Sequence, residues 1–316
     1  MKKYLLSITV LLLVTGCFIV QPVFSSLQDF LSRTGRIKGN ILVVEGWLSY
    51  DDLKLAGDEF RTGNYDLVLT TGLRAASDFY GMFNKGSLIF YPEDTSEIRT
   101  IEVLAYSNSK KDHPLQFNLQ VNDSILASFN ATTRKKKYKA LWNGAPVDSV
   151  LVNFDNDINA GLFISEIILN EKLHLPYLNN SVYEITADKK FRIRNNMSSN
   201  SEMAAKRLVI TGIDSSYIIP IAGNRVRINR TLTTAFAVKD WIEKSGIKVE
   251  GINIISAGTH SRRTWMAYKK VLRDITDVGI IALPDRYITD KDKVRYLKTT
   301  RETIALLYYL LILSFI

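Results

Sequence analysis

Cysteine is nearly absent from this 316-residue chain, with Cys17 the single example. One thiol cannot form a disulfide framework, and a lone thiolate does not make a metal site. Histidine is scarce too: His113, His174 and His260 lie far apart in the chain, which argues against a zinc cluster. Acidic residues fall short of basic ones, 32 against 41, for a formal net charge of +9. That shortfall is uneven. From Gly86 to Glu171 there are 8 Lys and Arg against 11 Asp and Glu, which leaves 33 against 21 elsewhere. A basic body suits anionic partners such as phosphates, phospholipid headgroups or nucleic acid. No internal repeat is visible, so a solenoid is excluded. Apolar material is plentiful at 46% of residues, enough for the cores of about two domains.

The N-terminus narrows the choice of partner. Lys2 and Lys3 precede an apolar or small run from Tyr4 to Val20, and Gln21-Pro22 follows. Continued to Phe24, the run has 21 residues, near the ~20 that cross a bilayer as a helix. Positive charge before the run, and none after it until Arg33, predicts the N-terminus inside and the body outside. Val14-Thr15-Gly16-Cys17 also fits a bacterial lipoprotein box, in which cleavage leaves a lipidated Cys17 in place of a spanning helix. Apolar residues beyond Cys17 favour the uncleaved helix. Both readings give residues 1–24 as a signal or membrane anchor and place the body on the extracytoplasmic side. Nucleic acid is then not an expected partner.

Beyond the anchor, Asn40-Ile41-Leu42-Val43-Val44-Glu45-Gly46 carries a short apolar run of the kind buried on both faces of a parallel sheet. Ser49 is a plausible N-cap with Asp51 and Asp52 behind it, and Leu53, Ala56 and Phe60 recur at helical spacing before Gly63. Tyr65 to Thr70 is a second buried strand, completing a βαβ unit. From about Gly86 the helical period vanishes. Alternating stretches at Ile98–Ala105, Leu115–Val121, Ser149–Phe154 and Leu162–Leu169, punctuated by Asn122-Asp123, Asn143-Gly144 and Asn159-Ala160-Gly161, predict a small antiparallel sandwich over 86–171. Residues 172–199 read as an irregular connector. The α/β rhythm then resumes: a helix over Met203–Thr211, a strand at Tyr217–Ile221, a helix bearing Ala235, Val238 and Ile242, and a strand at Ile252–Ser256. A helix through Trp265, Tyr268 and Leu272, a strand at Gly279–Leu283 and a last helix from about Asp292 complete the chain. One α/β domain, 38–85 with 200–316, is therefore expected around an all-β insert. The tail Thr303–Ile316 is almost wholly apolar but short for a span. It is expected either to pack on the sheet or to dip its last turns into the membrane.

Ligands of open parallel sheets bind beyond the carboxyl ends of the strands. Those ends collect Glu45-Gly46-Trp47, Thr70-Thr71-Gly72, Arg230-Thr231, and Gly258-Thr259-His260-Ser261-Arg262-Arg263. Helix N-termini favour anions, and Arg230, Arg262 and Arg263 add forked donors suited to phosphate or carboxylate. His260 is the candidate proton carrier, with Glu45 its carboxylate counterpart. The plain alternatives are a surface histidine, solvated arginines and a glutamate that only pairs with one of them.

These stretches resemble the YdcF/SanA/ElyC family. Val43 to Leu48 with Tyr65 to Gly72 is similar to its opening, Arg230-Thr231 to its Arg-Thr helix start, and Gly258 to Arg263 to its Gly-x-His-x-x-Arg turn. Glu302-Thr303-Ile304-Ala305 and Tyr308 are similar to its closing helix. The resemblance implies a Rossmann-like parallel sheet with helices on both faces, an N-terminal membrane helix and a role in the cell envelope, including peptidoglycan assembly. It also admits S-adenosylmethionine or another nucleotide-like ligand. Gly72-Leu73-Arg74 departs from the pattern, where a further glycine is common. The insert resembles a calcium-dependent, xylan-binding carbohydrate-binding module over Ile101–Ala105, Pro114–Asn122, Phe154–Asp157 and Leu162–Asn170. That resemblance makes Asp155 and Asp157 candidate calcium ligands, glycan the partner, and Tyr138 and Trp142 candidate stacking aromatics. The expected function is a membrane-anchored envelope factor binding an anionic metabolite at the α/β rim and glycan through the insert. The alternative is a hydrolase or transferase on a glycan or lipid-linked sugar phosphate, and a third is a scaffold with a vestigial rim. In the leading reading, His260→Ala and Arg263→Ala abolish function and leave stability nearly unchanged.

Overall fold

The computed structural model describes residues 22–74, 79–83, 85–93, 97–109, 114–155, 160–185, 192–194, 197–284 and 292–316. The apolar run up to Gln21, with Cys17, lies outside the described residues. Among the described residues no helix is long and apolar enough to cross a membrane. The chain forms two compact units, Met1–Arg74 with Asn200–Ile316, and Ala75–Ser199.

The first unit opens with helix α1 at residues 22–31, then strand β1 (Ile41–Glu45), helix α2 (Tyr50–Thr62) and strand β2 (Leu67–Leu73). Ser49 caps α2 with a reciprocal box: its hydroxyl accepts from the Asp52 amide, and Asp52 accepts from the Ser49 amide.

The second unit replaces the connection that would follow β2. It holds β3 (Tyr80–Phe83), β4 (Lys85–Phe90), β5 (Thr100–Ser107), β6 (Leu115–Val121), β7 (Ser124–Ala131) and β8 (Lys136–Leu141). After these come β9 (Val150–Asp155), β10 (Gly161–Leu169), β11 (Leu173–Pro176), β12 (Val182–Ile185) and β13 (Arg192–Arg194). They form two antiparallel sheets, ordered β11-β10-β5-β8 with β3 also on β10, and β13-β12-β4-β9-β6-β7. Inward residues of both, such as Val103 and Ile164 from one and Phe117 and Val152 from the other, share one core. Several of these strands are not evident in the sequence. Strand β8 begins inside the charged run Arg134–Lys139, yet Tyr138 and Ala140 point inward. The expected connector 172–199 contains β11, β12 and β13, which pair with β10, β4 and each other. Strands of three or four residues are held by backbone bonding to a neighbour and carry too few side chains to show a period.

The chain returns to the first unit as α3 (Asn200–Ile210), β14 (Ile218–Gly223), α4 (Arg230–Ser245), β15 (Ile252–Ala257), α5 (Ser261–Val271), β16 (Val278–Leu283) and α6 (Asp292–Leu313). Its sheet is wholly parallel, in the order β14-β2-β1-β15-β16. Helices cover both faces. Ile41, Val43 and Ile254 pack with α4, α5 and α6, while Leu42, Val44 and Ile255 pack with α2 and α3. Burial on both sides explains why these strands are apolar throughout rather than alternating. Strand order reverses between β1 and β15, so the crevice of this sheet opens beyond Glu45 and Ala257.

Candidate functional site

Glu45 is the last residue of β1 and is buried. Strand β15, its neighbour, runs into a 3-10 turn at Gly258–His260 that leads directly into α5. Gly258 takes the left-handed conformation that starts this turn, at φ 42°, where a side chain would be strained. The turn aims His260 back across the crevice, with Nε2 3.6 Å from Glu45 Oε1. Its other nitrogen faces α6: Nδ1 lies 3.4 Å from Glu302 Oε2. Arg263, one turn along α5, donates from Nη2 to His260 Nδ1 at 2.7 Å and grips Glu302 through Nε at 3.1 Å and Nη2 at 3.0 Å. Thr264 donates its hydroxyl to Glu45 Oε1 at 3.2 Å. Trp47, 47% exposed, stands edge-on to the imidazole with centroids 5.1 Å apart. One imidazole thus sits between two buried carboxylates, with a guanidinium balancing the second.

Burial disfavours the charged form of each group, and mutual attraction opposes it. For His260, burial pushes the pKa down, but the Glu45 charge and the contacts with Glu302 and Glu45 outweigh it, leaving the imidazole above its usual 6.5. Burial raises Glu45, yet the imidazole charge and its hydrogen bond hold it below the usual carboxylate value. Glu302 is likewise raised by burial and lowered further by His260 and Arg263, to about 2. Protonation changes the partner of Nδ1. A neutral ring accepts there from Arg263, whereas an imidazolium donates there to Glu302 and from Nε2 to Glu45. Two buried oxygens beside the ring have no hydrogen-bond partner, Glu45 Oε2 and Thr259 Oγ1. Native interiors seldom leave such atoms unmatched unless a ligand or water completes them.

The other residues picked from the sequence divide. Thr231 joins the cluster, its Oγ1 3.5 Å from Arg263 Nη1. Thr71 is buried beneath it and accepts from the Tyr268 hydroxyl at 3.4 Å; burial keeps that phenol protonated. Arg230 is exposed at the start of α4, following the loop that also exposes Arg225 and Arg227. Arg262 turns away instead: its Nε donates to the Phe30 carbonyl and its guanidinium lies 3.7 Å over the Phe30 ring, which ties α5 to α1. Thr70 is fully buried and donates to the Ser201 carbonyl at 2.9 Å. A Cβ on Gly72 would fall 2.7 Å from both the Asn200 Cβ and the Ser201 amide nitrogen. The first turn of α3 therefore occupies the approach expected for a ligand.

The expectation that His260→Ala and Arg263→Ala spare stability also changes. His260→Ala leaves buried Glu45 without its counter-charge, a loss of about 3–5 kcal/mol, and Arg263→Ala removes one of the two cationic partners of Glu302. Glu302 is held well below the usual carboxylate range by His260 and Arg263 yet does not stand out as a site residue in the sequence. One signal was available: Glu302, Leu306, Tyr309 and Leu313 form one inward stripe of α6, and Glu302 is its only charge.

In the insert, Asp155 is exposed at the end of β9, and Asp157 lies outside the described residues. Among the described residues no group of three or more His, Cys, Asp or Glu stands together to hold an ion. Tyr138 is a core residue, edge-on to Phe117 at 5.1 Å, and Trp142 packs on the same core while donating to the Ala145 carbonyl. Tyr138 is closed to stacking, whereas Trp142 is half-buried. Half-buried rings do gather elsewhere, with Tyr106 stacked on Phe163 at 4.8 Å and edge-on to Phe79 at 4.9 Å.

Fold and site together define a parallel α/β unit with a buried acid–base cluster at its switch point, carrying an all-β insert. No protein-family model matches the chain, and no curated protein does. Among solved structures it is similar to a family two carbohydrate esterase from Clostridium thermocellum in complex with cellohexaose, at 11% identity over 67% of this chain and 84% of that one, TM-score 0.24. An active-site mutant of such an esterase from the same organism gives 12% identity, 66% and 89% coverage and TM-score 0.23. A salicylyl-acyltransferase, SsfX3, from a tetracycline biosynthetic pathway gives 11%, 63%, 69% and 0.23. Likenesses at these TM-scores carry no argument about this chain.

Proposed function

We propose that this protein is a membrane-anchored, extracytoplasmic cell-envelope protein whose α/β unit performs acid–base chemistry on an anionic, sugar- or phosphate-bearing envelope molecule. His260 is the proton carrier. The observation behind this reading is the imidazole held between Glu45 and Glu302 at the switch point, with a Glu45 oxygen left unmatched beside it. A ring whose two protonation states each have a ready partner can release a proton to a leaving group and take one from water. Glu45 and Glu302 favour the charged form, and Arg263 stabilises the neutral one. Arg225, Arg227 and Arg230, exposed around the carboxyl end of β14, supply the basic rim that draws the anion in. The insert engages glycan, and the grouped rings of Phe79, Tyr106 and Phe163 support that part.

A second reading is binding without turnover. It is favoured by the commitment of Arg263 to Glu302, which occupies the guanidinium that an anionic ligand would otherwise meet. One experiment separates the two. Purified full-length protein is incubated with a nucleotide-linked sugar diphosphate and with a polyprenyl-linked sugar diphosphate, and products are followed by phosphorus NMR. Turnover that is lost in His260→Gln but kept in Lys244→Ala, at an exposed position of α4 away from the rim, supports catalysis. Thermal stabilisation by the same compounds without turnover assigns binding alone. Neither effect with any probe ends both readings.

A further inference from the structure

Helix α6 presents two contrasting faces. Glu302, Leu306, Tyr309 and Leu313 turn inward to His260 and the sheet core. Outward stand Leu297, Ile304 and Leu311, seven residues apart and 64%, 63% and 60% exposed, with Leu307 and Leu310 beside them. Helices at the surface of a soluble unit normally turn a polar face outward, and a continuous exposed apolar stripe marks a surface that something covers. Lys291, Lys293 and Arg295 precede Leu297, and Lys298 and Arg301 fall between Leu297 and Ile304, with Asp292 and Glu302 as the acidic residues of this segment; between Thr303 and Ile316 there is no charge at all. An apolar stretch flanked by basic residues is the pattern of a helix lying in a membrane interface, where lipid tails take the first and anionic headgroups the second.

Chain continuity says which surface this is. Helix α1 follows the apolar run Tyr4–Val20 directly and lies along α6: the Phe24 ring is edge-on to Tyr296 at 4.4 Å, and Gln28 Nε2 donates to Thr299 Oγ1 at 3.0 Å. Both contacts advance in the same direction, so the two helices run parallel. Helix α1 also exposes Val23 and Phe30, again seven apart. Ten residues of helix span about 15 Å, so α6 lies within that distance of the point where the chain enters the anchor.

We propose that the outer face of α6 rests in the interface of the bilayer that carries the anchor, with Ile304, Leu307 and Leu311 among the acyl chains. This rests on the membrane-anchored reading above. It adds a substrate class, because Glu302 lies on the opposite side of the same helix, in contact with His260 and Arg263. With α6 seated in the interface, the acid–base cluster stands about one helix diameter, on the order of 10 Å, from the lipid. A ligand reaching it is a membrane lipid bearing an anionic head, rather than a molecule free in solution.

The test uses full-length protein reconstituted into vesicles of phosphatidylethanolamine and phosphatidylglycerol, with or without bromine on the upper acyl chains. L307W and L311W are compared with K244W, which lies at an exposed site on α4, and native tryptophan emission is subtracted. Bromolipid should quench the introduced indoles at 307 and 311 by about twofold or more, as expected for an interfacial helix, and leave the one at 244 unchanged. Flotation with vesicles but no quenching at 307 or 311 overturns the proposal while the anchor reading stands. Flotation without quenching, where emission instead shifts with protein concentration, overturns it in favour of a second copy on this face. Failure to float sinks the anchor reading and this inference together.

Discussion

His260 depends on groups brought from three places in the chain: Glu45 from β1, Arg263 from its own helix and Glu302 from α6. Their charges are mutually dependent, which gives stability a defined pH profile. A histidine held above 6.5 contributes stability that is complete below that pH and is lost as pH rises through the raised value. A carboxylate lowered to about 2 contributes stability that is complete above 4.5 and is lost as pH falls from there toward 2. Both contributions are present together between 4.5 and 6.5. Thermal melts across pH should place the maximum of this contribution in that window. The Glu302→Gln variant should show a flatter acid limb than the parent, and an unchanged acid limb would count against the charged pair.

At the scale of elements, three close approaches set the site. Helix α3 begins against the ends of β1 and β2, where a Cβ on Gly46 would lie 2.5 Å from the Thr71 carbonyl oxygen and 2.6 Å from that of Asn200. Both obstacles are backbone and cannot swing aside. Gly46→Ala should therefore destabilise the α/β unit by about 1–3 kcal/mol, read from chemical denaturation, as overpacking does. Because α3 abuts the same strand that carries Glu45, the variant should also weaken turnover more than a surface change of equal stability cost. Helix α5 follows its strand after only one 3-10 turn, which brings His260 to the rim. Helix α6 closes the cluster from the other side, and its own outer face is where the membrane inference lies.

At the scale of the whole molecule, the insert occupies a single connection, entering after Arg74 and leaving before Asn200. Those two points are close: Gly72 packs on Asn200, and the Arg74 amide donates to the Gly223 carbonyl at 3.0 Å. Replacing 75–199 with a Gly/Ser linker of about 4–6 residues, the usual length of such a connection, should leave a unit that melts cooperatively and retains its helical circular dichroism. An unfolded product would show that the insert is part of the same cooperative structure.

Much of this was legible along the chain. The apolar run Ile41–Val44 and the largely apolar Ile252–Ala257 announce strands buried on both faces, Ser49 with Asp52 announces the start of α2, and alternation at Leu115–Val121 announces a half-buried antiparallel strand. Each is a local periodicity, and local periodicity is written in consecutive residues. The choice of Glu45 and His260 also followed from sequence, because strand ends can be located there and ligands gather at them. What the tertiary structure alone decided is which of several similar side chains share a centre. Thr264 reaches Glu45 across 219 positions, Arg263 finds Glu302 across 39, and Arg262, its immediate neighbour, goes instead to Phe30 across 232. Adjacent residues on a helix point about 100° apart, so two arginines that look equivalent in sequence meet different parts of the molecule. Only packing determines which one reaches the histidine.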